Sequence, residues 1–596
     1  MIINIDYNST FQTAILTAED KNEWQWASLL RNLYDSVPGI SQDENTIYIP
    51  VSKFVAIRYS IADFAANHNT KITLSNTIRA FLKTANEQSY SSALKKEALS
   101  PEEIKTRLIE IGFKRNLTNN QVNNLCKLGP LPAGATFSVP GAGKTTEALA
   151  YYFLNAEEDD KLLIVAPKNA FGAWDEQLEA CVEREDYQFV RLRGGEQRIE
   201  MLLREAPKFS IITYQQYPRV KDIIQQFLEK NNVFMLLDES HRIKSGRTGI
   251  SADSILAASY LPKRKLIMTG TPMPQSIKDI IPQFSFLYPD RSINEDIAIE
   301  LIKPIYVRTT SGQLDIPDVE HRLITLKMDT LQAQVYQSIK SETKRQLIPL
   351  ISDLSRISLR EINKKIIKIM QFVSNPALLS KDIEYIFDDR IGSLLLQGNG
   401  PKVAYVCHRA RELASQGKKV IIWSQFVENV ELITERLKDI GADFIHGGVD
   451  AGDEDENDTR EWKIREFHGN PNKMILVANP AAASEGISLH KVCQYAIYLD
   501  RSFNAAHYLQ SEDRIHRLGL RRDQTPIVEI VECEDTIDQV IRQRLELKVN
   551  TMANALNDPS LDIGTVRYDV EFESEVDDIT NDDISAIMKY FGESQL

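Results

Sequence analysis

The segment Ser138-Val139-Pro140-Gly141-Ala142-Gly143-Lys144-Thr145 has the make-up of a phosphate-binding loop. Its glycines let successive backbone N–H groups wrap an anion, and the start of a following helix adds positive potential there. Lys144 is then placed for the β- and γ-phosphates, and Thr145 offers a hydroxyl to Mg2+. Pro140, Gly141, Ala142, Gly143, Lys144, Thr145 and Thr146 form the expected nucleotide contact, although the strict pattern asks for glycine where Ser138 stands. Further on, the apolar run Val233–Leu237 ends in Asp238-Glu239-Ser240-His241. A buried parallel strand delivers whatever follows its C-terminal end to the ligand crevice. Asp238 is therefore expected to hold Mg2+, and Glu239 to orient or deprotonate an attacking water. Alone, the two motifs read as a glycine-rich turn and a strand-end turn; together they favour hydrolysis of a nucleoside triphosphate.

A third constellation lies far downstream, in Gln510-Ser-Glu-Asp-Arg-Ile-His-Arg-Leu-Gly519. Arg514 and Arg517 are three residues apart and share a face if the segment is helical. Arginines offered from a separate domain stabilise charge developing on a γ-phosphate. By itself the segment reads as a salt-bridged helix.

The elements around these residues alternate. Between about 116 and 300, short β-rich runs (162–165, 210–212, 233–237, 266–268) are separated by helical stretches, the sign of a parallel sheet covered by helices. A long helical region over about 328–390 precedes a second alternating stretch, with strands expected at 420–423, 474–477, 495–499 and 527–531. In residues 1–115, Asp43-Glu44-Asn45 between short apolar runs reads as a hairpin turn.

The ordered set resembles a superfamily 2 helicase core, specifically the Swi/Snf group of ATP-driven DNA translocases. Leu117-Thr118 with Gln121 resembles the adenine-reading glutamine motif, Ser138–Thr145 motif I, and Ala166-Pro167 with Trp174 the segment after the second strand. Ile212-Thr213-Tyr214 resembles the next, Asp238–His241 motif II, and Thr269-Gly270-Thr271-Pro272 motif III. Lys303-Pro304 with Val307-Arg308, Gln332 with Tyr336, and Asn375-Pro376 with Leu378 resemble the exit from the first lobe and the connector. Ile422–Phe426, Glu485–Leu489 and Gln510–Gly519 resemble motifs IV, V and VI. Two departures stand out: Leu520 replaces a polar residue after motif VI, and Ala481-Ala482-Ala483-Ser484 precedes Glu485 where the family favours a glycine-rich turn.

The resemblance implies an α/β fold: two RecA-like parallel-sheet lobes with a helical connector, plus a small N-terminal α+β accessory domain. The expected boundaries are 1–115 (accessory), 116–300 (first, ATP-binding lobe), 301–390 (connector), 391–550 (second lobe) and 551–596 (acidic tail). It implies that Gln121 reads adenine, that Gly486 contacts the nucleotide, and that Thr269, Thr271 and Gln510 couple nucleotide state to lobe position. The cofactors would be ATP and Mg2+, and the partner double-stranded or branched DNA gripped by its phosphates. The alternatives are a strand-separating DNA or RNA helicase of the same superfamily and a nucleic-acid-binding adaptor latched by ATP.

Composition narrows the rest. The chain has 596 residues, 43% of them hydrophobic, which suits a multidomain globular protein. Five scattered cysteines without a CxxC argue against disulfides and cysteine zinc sites. No apolar stretch approaches the roughly 18 residues that span a membrane. Those features predict a cytoplasmic protein, nucleoid-associated in a prokaryote. Net charge is −14, but residues 551–596 hold eleven acidic side chains against two basic ones. That tail reads as a disordered solvating end, with a partner-binding segment or a DNA mimic as alternatives. Residues 338–370 hold eight Lys/Arg against three acids, either a solvated helix face or a phosphate-facing surface. Leu29–Pro50, with Pro38-Gly39 ahead of Ile47-Tyr48-Ile49-Pro50, resembles small HARP-type modules that recognise forked DNA, an unrelated accessory fold being the alternative. A protein partner would act through this region or the tail.

Overall fold

Three β-sheets take up the apolar runs, and each sheet's pattern follows from whether one or both of its faces are covered. A computed structural model describes residues 1–8, 13–36, 40–184, 186–314, 316–351, 356–381, 392, 400–449, 458–483, 489–517, 519–521, 523–558, 561 and 579–592. The chain divides into two compact units. One comprises residues 1–139, 143–273 and 277–309, the other residues 140–142, 274–276 and 310–596.

In the first unit, Ile2–Asn8, Thr13–Glu19, Ser41–Asp43, Thr46–Pro50 and Lys71–Leu74 form a five-stranded sheet. It is antiparallel except where Ile2–Asn8 runs beside Lys71–Leu74. Its strands alternate: Ile3, Ile5, Ala14, Leu16, Ile47 and Ile49 are buried while their neighbours are not, as a sheet with one covered face requires. Glu44 and Asn45 make the hairpin turn between Asp43 and Thr46. Residues 37–39, part of the module-like pattern, lie outside the described residues.

The same unit holds a seven-stranded parallel sheet in the order Tyr306–Val307, Ala133–Thr136, Arg264–Met268, Val233–Asp238, Lys161–Ala166, Phe209–Thr213, Val190–Arg191. Leu162–Ala166 and Val233–Leu237 are buried without interruption, as expected of strands covered on both faces. Residues 88–115 pack on this layer: Tyr90 donates its hydroxyl to the Leu301 carbonyl (2.8 Å) and Gln88 its amide to the Lys263 carbonyl (3.1 Å).

The second unit carries a six-stranded parallel sheet in the order Glu320–Leu326, Ile527–Cys533, Cys493–Tyr498, Lys419–Trp423, Ile475–Ala478, Ala442–Ile445. The expected architecture of two parallel-sheet lobes and an N-terminal α+β sheet is the one observed. Two strands, Tyr306–Val307 and Glu320–Leu326, precede the long helices Thr330–Ile351 and Arg356–Ser374.

The acidic end departs from the disordered tail expected of it. Residues 551–556 complete the helix Ile537–Leu556, and the helix Asn581–Tyr590 folds onto the second unit. Ile579, Ile584, Ile587, Met588 and Phe591 join that unit's core. Asp583 is fully buried between Arg544 (2.6 Å) and Lys548 (2.7 Å), so a carboxylate counted as solvated tail is a core ion. Residues 562–578, which hold most of the other tail acids, lie outside the described residues.

Candidate nucleotide-binding site

The strand Ala133–Thr136 runs into the glycine loop, and the helix Lys144–Asn155 leaves it. Gly141 and Gly143 take φ +85° and +81°, left-handed values that glycine adopts without strain. Gly143 is also a close approach, since a Cβ there would sit 2.4 Å from the Gln121 side-chain nitrogen. Gln121 is buried: its Nε2 donates to the Gly143 carbonyl (3.1 Å) and its Oε1 accepts from the Thr118 backbone N–H (2.9 Å). The expected adenine reader thus braces the loop from the preceding helix, Asn119–Leu128, whose capping box it completes.

Lys144 reaches back across its own loop, donating to the Ser138 carbonyl at 2.9 Å. That loop-spanning ammonium and the helix start behind it supply the positive potential a phosphate needs. The departure at Ser138 has a structural reason. Its hydroxyl accepts from the Thr309 backbone N–H (3.0 Å) and from Thr136 Oγ1 (3.2 Å), tying the loop to the chain that leaves the sheet. Beneath it, Asn124 Nδ2 donates to Glu147 (2.7 Å) and Thr309 Oγ1 (3.1 Å). Burial raises the Glu147 carboxyl to about 7.

Asp238 ends the strand Val233–Asp238, separated from Ala133–Thr136 only by Arg264–Met268. Its carboxylate is fixed on both oxygens, Oδ1 accepting from the Glu239 N–H and Oδ2 from the Trp174 indole, each at 3.0 Å. Burial first, and the adjacent Glu239 second, raise Asp238 to about 6. Glu239 adopts φ +51°, an unfavourable value for a residue with a Cβ. Around it, Thr269 Oγ1 lies 3.4 Å from Glu239 Oε2 and 2.9 Å from His241 Nδ1, and accepts from the Thr271 N–H at 3.1 Å. A hydroxyl has one proton, so Thr269 donating to Glu239 requires His241 to donate from Nδ1. Gln283 clamps this arc: it accepts from Ser240 (2.7 Å) and donates to the Pro272 carbonyl (2.7 Å).

Gln121, Gly143, Lys144, Thr145, Thr146, Asp238, Glu239, Thr269 and Thr271 therefore belong to one sheet's C-terminal edge. Pro140, Gly141 and Ala142 continue the loop, while Gln510, Arg514 and Arg517 belong to the second unit. Gly486 lies outside the described residues. The shared helical face expected for Arg514 and Arg517 is not formed. The helix Ala505–Glu512 stops before them: the Arg514 N–H donates to the Ser511 carbonyl (3.2 Å) in place of Gln510, and the Arg514 carbonyl accepts from the Leu489 N–H (2.9 Å). Arg514 Nε donates to the Gln510 carbonyl (2.8 Å), and Gly519 closes the turn at φ +107° against His490. In the same unit Ser374, Ser424 and the Gln425 N–H all donate to buried Asp500, at 2.5, 2.8 and 2.5 Å, joining the connector helix to the end of strand Lys419–Trp423.

Asn124, Glu147, Gln177 and Gln283 were not singled out in the sequence. Their signal is faint: a polar residue at a core-facing helical position, which only a long-range partner explains. Among the described residues no cluster of three or more His, Cys, Asp or Glu is placed to hold a metal.

Two family profiles match, the SNF2-related domain over residues 132–297 and the helicase conserved C-terminal domain over residues 401–519. A CHD3-type chromatin-remodeling factor, CHR7 of Arabidopsis thaliana, is 23% identical over 64% of this chain and 32% of its own length. The transcription regulatory protein SNF2 of Saccharomyces cerevisiae is 20% identical over 69% of this chain and 26% of its own. An ISWI chromatin-remodeling complex ATPase, CHR17 of Arabidopsis thaliana, is 22% identical over 75% and 44%. The chain spans under half the length of these relatives. Among solved structures, the Sulfolobus solfataricus SWI2/SNF2 ATPase core in complex with dsDNA is 18% identical, with a TM-score of 0.32, covering 76% of this chain and 98% of that one.

Proposed function

We propose that this chain, matched by the SNF2-related and helicase C-terminal profiles, is an SNF2-related, helicase-like ATPase that hydrolyses ATP to move along double-stranded DNA. The observation that carries the reading is one parallel sheet whose edge joins the glycine loop with Lys144 to Asp238-Glu239, the binding half and the hydrolytic half of a phosphoryl-transfer site. Glu239, held by Thr269, is the group placed to orient or deprotonate water; Lys144 and the loop N–H groups take the phosphates.

The oxygen donors of Asp238 and Thr145 suit Mg2+, and a divalent cation would favour the charged form of Asp238 that burial first, and the adjacent Glu239 second, disfavour. When bound, the cation would neutralise charge on the β- and γ-phosphates. Gln121 reads the base only by sharing an amide that also braces the loop. Arg514 and Arg517 are proposed to act on the same nucleotide from the second unit, and Thr269, Thr271 and Gln510 to couple its state to movement. Duplex DNA is the proposed track, and the N-terminal α+β domain the part that would favour branched DNA.

Steady-state ATP hydrolysis with no nucleic acid, duplex DNA, single strands, forks and RNA tests this. Duplex or fork stimulation, abolished in Glu239→Gln, is the expected result. Preferential stimulation by RNA would replace the track, and flat turnover on every substrate would favour the adaptor.

A further inference from the structure

The helix Phe171–Cys181 follows the strand Lys161–Ala166 and directs two side chains at the candidate site. Trp174 and Gln177 are three residues apart and share a helical face. Trp174 is fully buried, and its indole N–H donates to Asp238 Oδ2 at 3.0 Å. Gln177 Oε1 accepts from Thr146 Oγ1 at 2.8 Å. Thr146 directly follows Thr145 in the first turn of the loop helix. One helix face thus grips both protein elements that offer oxygen to a cation.

We propose that Trp174 and Gln177 are positioning residues for the divalent cation that accompanies the nucleotide; this rests on the ATP-binding reading of the site. Donors on different oxygens, Trp174 on Oδ2 and the Glu239 N–H on Oδ1, fix rotation of the Asp238 carboxylate and leave its other lone pairs for a cation. The indole is uncharged, so it orients the carboxylate without neutralising it, as a lysine in its place would. Phe189 packs edge-on against the Trp174 ring, centroids 6.2 Å apart at 78°, away from the indole N–H that reaches Asp238. Gln177 fixes the Thr146 hydroxyl and with it the first helical turn that carries Thr145. Outer partners of this kind typically change metal affinity about 10- to 100-fold.

The experiment uses the full chain and a fluorescent ADP analogue, titrated with Mg2+ and again in EDTA. Trp174→Phe keeps the ring and removes the N–H; Gln177→Leu keeps the bulk and removes the acceptor. Phe189→Leu loosens the packing around Trp174 while sparing its N–H. In both Trp174→Phe and Gln177→Leu, the Mg2+ concentration for half-maximal effect should rise about tenfold. Affinity in EDTA should stay within about twofold of wild type. Unchanged Mg2+ dependence in both variants, or an equal change in Phe189→Leu, would overturn the inference. Should the wild-type chain bind no analogue in Mg2+, the ATP-binding reading itself fails; Mg2+-dependent binding that Trp174→Phe and Gln177→Leu leave intact removes only this inference.

Discussion

At the scale of single residues, the site is held by groups whose partners lie far away in the chain. Ser138 is the sharpest case. Changing it to glycine would restore the strict loop pattern, yet it removes the acceptor for the buried Thr309 N–H. Ser138→Gly should therefore lower stability by about 1–3 kcal/mol, read by urea denaturation, even though it looks like a repair. Lys265 gives a pH signature. Its ammonium is buried against the carbonyls of Ser259 (2.9 Å) and Phe286 (3.0 Å), and burial pushes its pKa from the usual 10.5 down to about 7. Between those values the unfolded chain binds more protons than the folded one. The stability tied to Lys265 is thus complete above about 10.5 and is lost as pH falls through about 7. The difference between wild type and Lys265→Met, followed by denaturation from pH 6.5 to 10, should rise with pH by a few kcal/mol at the order-of-magnitude level. The loop and Asp238-Glu239 were legible because their chemistry is written in consecutive residues. Of the donors around them, Trp174 was visible only as part of a family-like segment, and Gln283 and Asn124 not at all, because a hydrogen bond across the sheet leaves no local pattern.

Among the elements, strands buried on both faces were the easiest to read, since continuous apolar runs such as Val233–Leu237 have few other uses. Helices defined by charge were the hardest. Two of the eight cations in the basic stretch 338–370 pair with acids of the same stretch, Arg345 with Glu342 (2.8 Å) and Lys364 with Glu361 (2.6 Å), and Lys340 lies 3.7 Å from the centroid of the Tyr590 ring. The side chains of Arg356 and Arg360 lie outside the described set. That arrangement favours the solvated-face reading, and Lys364→Ala should leave stimulation by duplex DNA within about twofold. The opposite holds for the helix Asn581–Tyr590, hidden in the sequence by its acidic surroundings. Burial would raise Asp583, but Lys548 and Arg544 outweigh it and hold the carboxyl below its usual range. Asp583→Asn removes the carboxylate that Lys548 and Arg544 share, Arg544 keeping Asp582 at 3.3 Å, and should destabilise the second unit by about 3–5 kcal/mol, measured as a lower melting transition.

On the scale of the whole molecule, a chain carrying −14 would have to grip the proposed DNA track through local contacts alone. The proposed activation by duplex DNA should accordingly weaken steeply between about 50 and 200 mM salt, the apparent affinity falling linearly on a log–log plot. A shallow salt dependence would argue against a phosphate grip. Two sheets, and not one, were legible from the two stretches of strand–helix alternation. That the second sheet starts at Glu320–Leu326 was not, because this strand pairs in register with Ile527–Cys533 far along the chain. The return of Ile579–Phe591 to the core has a consequence for the order of synthesis. The first parallel sheet is complete once Val307 has left the ribosome, and it can consolidate while translation continues at about 5–20 residues per second. The second unit has to wait with its first strand unpaired until residue 533 emerges, and with part of its core open until residue 591. A ribosome stalled anywhere in between would hold a finished phosphate loop beside a half-built, aggregation-prone neighbour.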